Sequence, residues 1–190
     1  HVRLHSFPTR RSSDLIGMGD NIWLPDRDAS RTPMQWSPDR NAGFSTADPG
    51  RLYLPVVSSV AFGYQAVNVE AQIASPASYL NWTRGILATR KAHPVFGVGE
   101  FTPMAADNPA VLAFTRTSDD VTTGSRAVLC LANLSASAQG AVISLPQEYA
   151  GRRVVDLRGG QTLGRVAEDG SLQLTFAPRG YYWLDLADAP

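Results

Sequence analysis

From Asp26 to Phe44 the hydrophobic and polar positions follow neither a helical nor a strand period. Charged, amide and aromatic residues are interleaved there with Pro33, Pro38, Asn41 and Gly43, types that fix turns rather than regular structure. A long irregular segment inside a compact domain is usually a binding or active-site loop. Arg51 to Phe62 is apolar, interrupted by Pro55 and aperiodic, and reads as loop with at most one helical turn. Val67 to Ile73 predicts a short helix, and about Pro76 to Ala92 a longer one. Ser75 can cap the longer helix with Pro76 at its first position, where a missing amide hydrogen costs nothing. Leu80, Thr83, Leu87 and Arg90, with Trp82, Ile86 and Ala88 beside them, recur at spacings of three and four and predict one apolar face. Pro94 pushes its predecessor out of the helical region and ends the element.

After Gly99 the pattern shortens. Glu100 to Met104, Val111 to Arg116, Arg126 to Leu134, Ala141 to Leu145, Arg153 to Leu157, Leu172 to Phe176 and Tyr181 to Leu186 are strand-like runs separated by turn signals. Such spacing predicts an all-β antiparallel sandwich. Leu172, Leu174 and Phe176 alternate with Gln173 and Thr175, so that strand keeps one wet face. Ala127 to Ala132 is apolar throughout and is expected at the centre of a sheet. Val128, Cys130, Leu174, Phe176 and Leu184 are expected among the buried positions.

Composition narrows the function classes. Seventeen basic residues balance seventeen acidic ones, which argues against a nucleic-acid or anionic-membrane partner. No apolar run approaches the roughly 20 residues a membrane span requires. Cys130, the single cysteine, lies in an apolar run and reads as a small buried thiol, not as a reactive or metal-binding one. With no disulfide framework and no signal peptide in view, a reducing cytoplasm is the expected compartment, where the sequons at Asn81 and Asn133 stay unmodified.

The loop carries a family resemblance. Arg31-Thr32-Pro33-Met34-Gln35-Trp36, preceded by Asp26-Arg27-Asp28 and followed by Ser37 to Ser45, resembles the loop after the eighth barrel strand in the α-glucosidase and trehalose synthase branch of glycoside hydrolase family 13. Ile16-Gly17-Met18-Gly19-Asp20-Asn21 before it and Gly63 to Gln72 after it turn the match toward the members that interconvert maltose and trehalose. The ending Pro178 to Leu186 is similar to the last strand of the family's C-terminal domain; its aromatics read as packing. His5 to Leu15, in contrast, resembles a translated short-read sequencing adapter, so residues 1–15 are expected to be foreign to the fold.

The resemblance implies an α+β fragment: residues 16–98 as the C-terminal end of a (β/α)8 TIM barrel, its loop and last helix, followed by the sandwich over 99–190. It implies a retaining mechanism run by a carboxylate nucleophile and a second carboxyl group that serves as acid and then base. The nucleophile, the acid/base and a third carboxylate are expected upstream of Ile16, so no residue of this chain is expected to be catalytic. Arg31 resembles the arginine that holds the outer hydroxyls of a bound glucose, with Asp28 and Gln35 as candidate neighbours; a salt bridge from Arg31 to Asp26 or Asp28 is the structural alternative, and Gln35 and Trp36, which follow a proline, read as packing the loop against the barrel more than as touching sugar. Asp26, Asp28 and Asp39 read as loop acids. Asp20 and Asn21 supply too few oxygens for calcium, which takes about six to eight, so neither a metal nor another cofactor is expected from these residues, whatever a full-length family member holds. Maltose and trehalose are the implied substrates, with self-association or a maltokinase as implied partners. Two other readings stay open: part of an oligo-1,6-glucosidase or α-glucosidase that hands the glucosyl unit to water, or a sandwich module that binds carbohydrate or protein without catalysis.

Overall fold

Residues 15–119 and 126–187 are described by a computed structural model. Apart from Leu15, the segment expected to be foreign lies outside them. The chain divides into two units between Gly85 and Ile86.

The described part of the first unit contains turns and helices and no strand. Short 3-10 turns at Asp26–Ser30, Arg40–Gly43 and Pro49–Arg51 punctuate the segment before helix α1, Val69–Ala74. Asn68 starts α1: its Oδ1 accepts from the Ala71 amide at 2.8 Å while its Nδ2 donates to the Tyr64 carbonyl at 2.9 Å. That satisfies one of the free amides every helix start exposes. Ile16, Met18 and Val57 form a small buried cluster, with Met34, Val67, Val69 and Leu80 against it. Gln72 bridges it, donating to the Ile16 carbonyl at 2.6 Å and accepting from the Leu80 amide at 2.9 Å.

Helix α2 runs Tyr79–Ala92, three residues later than the start expected at Pro76. Ser78 rather than Ser75 caps it, its hydroxyl accepting from the Asn81 amide at 3.2 Å and its carbonyl from the Trp82 amide at 2.9 Å. The Ser75 carbonyl instead receives the Asn81 side-chain amide at 2.8 Å, which closes a turn where the first helical turn was expected. None of the α2 residues is buried.

The second unit is a sandwich. A six-stranded antiparallel sheet has the order β1 (Glu100–Pro103), β3 (Val111–Thr117), β4 (Ala127–Asn133), β9 (Tyr181–Ala187), β6 (Arg153–Asp156), β7 (Thr162–Arg165), and a three-stranded sheet has the order β2 (Ala105–Ala106), β5 (Gln139–Ser144), β8 (Ser171–Phe176). β4 is central as expected, opposing β3 through Leu129 and Thr115 and β9 through Leu129 and Leu184. Its alternate faces go to two cores. Leu129 and Leu131 meet Ile143, Leu145, Leu172 and Phe176 between the sheets. Val128 and Cys130 meet Val95 on the outer face, where helix α3, Val95–Val98, lies with Phe96, Phe114 and Trp183. Gly99 ends α3 because a Cβ there would stand 2.7 Å from the Val95 carbonyl oxygen and 2.9 Å from that of Thr117.

Val128, Cys130, Phe176 and Leu184 are buried as expected, whereas Leu174 is only half-buried. β2 and β7 were not anticipated. β2 is two residues long, and β7 is exposed at every position and contains Gly164, so neither presents an apolar alternation to read.

Candidate functional site

The loop from Asp26 is built by local hydrogen bonding. The Asp28 amide donates to the Pro25 carbonyl and the Arg31 amide to the Asp28 carbonyl, each at 3.1 Å, while the Asn21 amide reaches the Ala29 carbonyl at 2.8 Å and closes the loop's base. Arg31 to Trp36 then runs without regular structure. Its far end is held from both sides. The Gln35 and Trp36 carbonyls accept from the Val69 and Glu70 amides, each at 3.0 Å, and the Trp36 and Ser37 amides donate to the Ala42 carbonyl at 2.8 and 3.1 Å.

That last carbonyl belongs to a left-handed turn in which Asn41, Ala42 and Gly43 have φ of 54°, 59° and 67°. Glycine is needed at the third position, since a Cβ would come 2.5 Å from the Ser37 hydroxyl. Asn41 tolerates the left-handed region, and its Nδ2 donates to the Ser45 and Ala47 carbonyls at 2.9 and 2.8 Å. Ala42 has no such compensation and is completely buried. Strain of this kind clusters at functional loops, where the surroundings hold it in place.

One face of the loop lines a recess of about 590 Å³, together with Met18, Phe44 and Leu52 to Leu54. Arg31 to Met34 form its wall, with Arg31 exposed to solvent. Among the described side chains, which do not include that of Asp26, Arg31 makes no ion pair and so none to Asp28; an ion pair further along joins Arg40 to Asp48 at 3.7 Å, both largely exposed. Thr32, which lines the same recess, carries a buried hydroxyl with no partner among the described residues.

Asp28 is half-buried and does not line the recess. Gln35 is fully buried, its amide donating to the Phe62 carbonyl at 3.1 Å and to that of Val67. The structure thus brings Arg31 to the recess and turns Gln35 into the loop's underside. Thr32, Phe44 and Tyr53 also line it; the last stands in a stretch without period, and nothing in its sequence neighbourhood singles it out.

Of the loop acids Asp39 has structural work, as does Asp48 just beyond the loop. Asp39 accepts from the Ser37 hydroxyl at 2.9 Å, and Asp48 caps the turn at Pro49–Arg51 by accepting from the Gly50 amide at 3.0 Å. Among the described residues no group of three or more His, Cys, Asp or Glu is arranged to hold a metal ion, and no helix is long and apolar enough to cross a membrane.

Residues 9–99 match the α-amylase catalytic-domain family and residues 101–183 the C-terminal domain of maltogenic amylases. A crystal structure of trehalose-6-phosphate hydrolase from Bacillus licheniformis superposes with a TM-score of 0.62 at 23% identity, covering 87% of this chain and 27% of that one. A catalytic-barrel segment with this loop, followed by this sandwich, defines a protein of the α-amylase family of glycoside hydrolases, glycoside hydrolase family 13, and the chain belongs to it.

Within the family its sequence groups with the trehalose synthases. It is 47% identical to a trehalose synthase/amylase of Mycolicibacterium smegmatis over 98% of its own length, and 27% identical to an oligo-1,6-glucosidase of Bacillus cereus over 74%. The chain spans about a third of the trehalose synthase relative, 32%, and 23% of the glucosidase.

Proposed function

We propose that the chain is part of an enzyme that interconverts maltose and trehalose by intramolecular glucosyl transfer, and that it supplies one wall of the glucose site without supplying the reacting carboxylates. The observation that carries this reading is the 47% identity to a trehalose synthase/amylase along nearly the whole chain, against weaker and shorter likeness to an oligo-1,6-glucosidase.

The retaining route needs two carboxyl groups about 5 Å apart across the scissile bond. One attacks the anomeric carbon while the other gives its proton to the glycosidic oxygen. The freed glucose turns, and its anomeric hydroxyl attacks the glycosyl-enzyme while the second carboxylate takes the proton back. Both groups belong, in this reading, to barrel strands that precede residue 16. The occupied hydrogen bonds of Asp39 and of Asp48 beyond the loop support a structural role for those two acids.

Arg31 holds the outer hydroxyls of the glucosyl unit. Its planar fork donates to two oxygens at once, which fixes orientation as well as position. Its exposed place on the recess wall, with no ion pair to Asp28, supports that role. A reducing compartment fits Cys130, a free thiol buried in the outer sandwich core.

The test is a hybrid in which residues 16–190 replace the matching segment of the M. smegmatis relative, incubated with maltose. Trehalose as the main product supports the proposal. Glucose alone would return the chain to the α-glucosidases, and no conversion, in a hybrid that still folds, would leave the non-catalytic module.

A further inference from the structure

Gln35 has no exposed surface, and its side chain joins the loop that carries Arg31 to the segment that continues from the recess's opposite wall. Arg31, Thr32, Pro33 and Met34 form one wall and Leu52, Tyr53 and Leu54 another. The second wall belongs to the segment that continues through Val57 to Phe62 and Val67. Gln35 Nε2 donates to the carbonyls of both Phe62, at 3.1 Å, and Val67, while the Gln35 main-chain carbonyl accepts from Val69 at 3.0 Å. Four residues from Arg31, one side chain therefore ties the arginine's wall to both ends of a tight turn.

That turn is closed by the Gly63 carbonyl, which accepts from the Ala66 and Val67 amides, each at 2.9 Å. The turn before it is closed by the Gly63 amide, which donates to the Ser59 carbonyl at 2.7 Å, and a Cβ on Gly63 would stand 2.4 Å from that same oxygen. Ser59 Oγ receives the Ala61 and Phe62 amides, each at 3.3 Å. Below it, Met34 and Val57 share the buried cluster of Ile16 and Met18. Gln35 thus fastens a loop with no regular structure to a rigid support, which is what a side chain needs if its geometry is to survive ligand binding.

We propose that Gln35 is a positioning residue for Arg31: it does not touch sugar, and it sets where the guanidinium stands by locking Arg31–Met34 against the 52–67 segment. This rests on the reading that Arg31 contacts the glucosyl unit. A displacement of about 1 Å in a substrate clamp can cost up to about a hundredfold in rate, and the carboxamide is the group best placed to prevent it.

The experiment is a double-mutant cycle in the hybrid enzyme, using Gln35→Met, Arg31→Ala and the pair, with kcat/KM for maltose as readout. Gln35→Met keeps the length of the side chain and removes both donors. We expect Gln35→Met to lower kcat/KM by about 10- to 100-fold and to lower it by less than about twofold more once Arg31 is already alanine, as residues acting as a unit do. Equal losses in both backgrounds would make Gln35 merely structural and overturn the proposal, as would an unchanged kcat/KM in the single variant. Full activity of Arg31→Ala would remove the substrate reading first, and the proposal with it. If Gln35→Met does not fold, Gln35→Asn, which keeps the amide on a shorter stem, is put through the same cycle, and the same outcomes decide.

Discussion

Leu129→Ala tests whether the sandwich core is organised around β4. Leu129 is completely buried, lies in the strand paired on both sides, and points into the core between the sheets. Truncation removes three carbons, worth about 2.4 kcal/mol of transfer free energy at about 0.8 kcal/mol each. A cavity term follows, because a strand held by neighbours on both edges cannot move in to fill the gap, and large-to-small changes of this type cost about 2–5 kcal/mol. We expect about 3 kcal/mol, a large share of the roughly 5–15 kcal/mol a domain holds in reserve. At about 4–8 °C per kcal/mol for a unit of this size, the midpoint should drop by about 12–24 °C. Thermal and urea unfolding of the 190-residue chain, followed by far-ultraviolet circular dichroism, reads both quantities. Leu112→Ala is the control: it sits on the neighbouring strand β3 but is 46% exposed, and should stay within about 0.5–1 kcal/mol of wild type. Equal costs at the two positions, or a Leu129→Ala loss below about 1 kcal/mol, would refute the placement of the core.

Asn68→Ala should cost about 1–2 kcal/mol, since it strips the cap from α1 and takes the Asn68 donor from the Tyr64 carbonyl; hydrogen exchange should quicken at Ala71 while the sandwich amides stay unchanged. Burial pushes the Cys130 thiol from its ordinary 9.0 up to about 12, with Arg116 opposing the shift, so it should resist alkylation at pH 8 until the chain is unfolded. The folded state keeps that proton and the unfolded state loses it above about pH 9, so stability should fall from about pH 9 toward 12, and Cys130→Ala should flatten that limb in a pH series of urea midpoints. In the hybrid enzyme Arg31→Lys should lower kcat/KM by about 10- to 100-fold, because an ammonium cannot reproduce the two-pronged contact; wild-type rates would return Arg31 to a structural role.

How far the sequence could be read depended on whether one side chain or several distant ones decided the outcome. β4 was legible because its apolar run is buried on both faces, against Phe176 and Ile143 on one side and Val95 and Trp183 on the other. The start of α2 was misread because Ser75-Pro76 and Ser78 are both acceptable caps locally, and the Asn81 side chain, folding back onto the Gln72 and Ser75 carbonyls, selects the second. At the site, the family hexapeptide pointed to Arg31. The recess around it was not legible, because Met18, Phe44 and Tyr53 meet there only through the turns of an aperiodic chain. That Gln35 packs the loop and does not touch sugar was legible, although Trp36, read the same way, is half exposed; the partners of Gln35 were not legible, because the Phe62 and Val67 carbonyls lie 27 and 32 residues further along the chain.

On the proposed reading this chain brings a wall of the glucose site but not the carboxylates that break and remake the bond. Maltose incubated with the purified 190-residue chain alone, and resolved by sugar chromatography against a no-protein control, tests it most directly. Neither trehalose nor glucose should rise above the control; either sugar accumulating in proportion to added protein would overturn that reading.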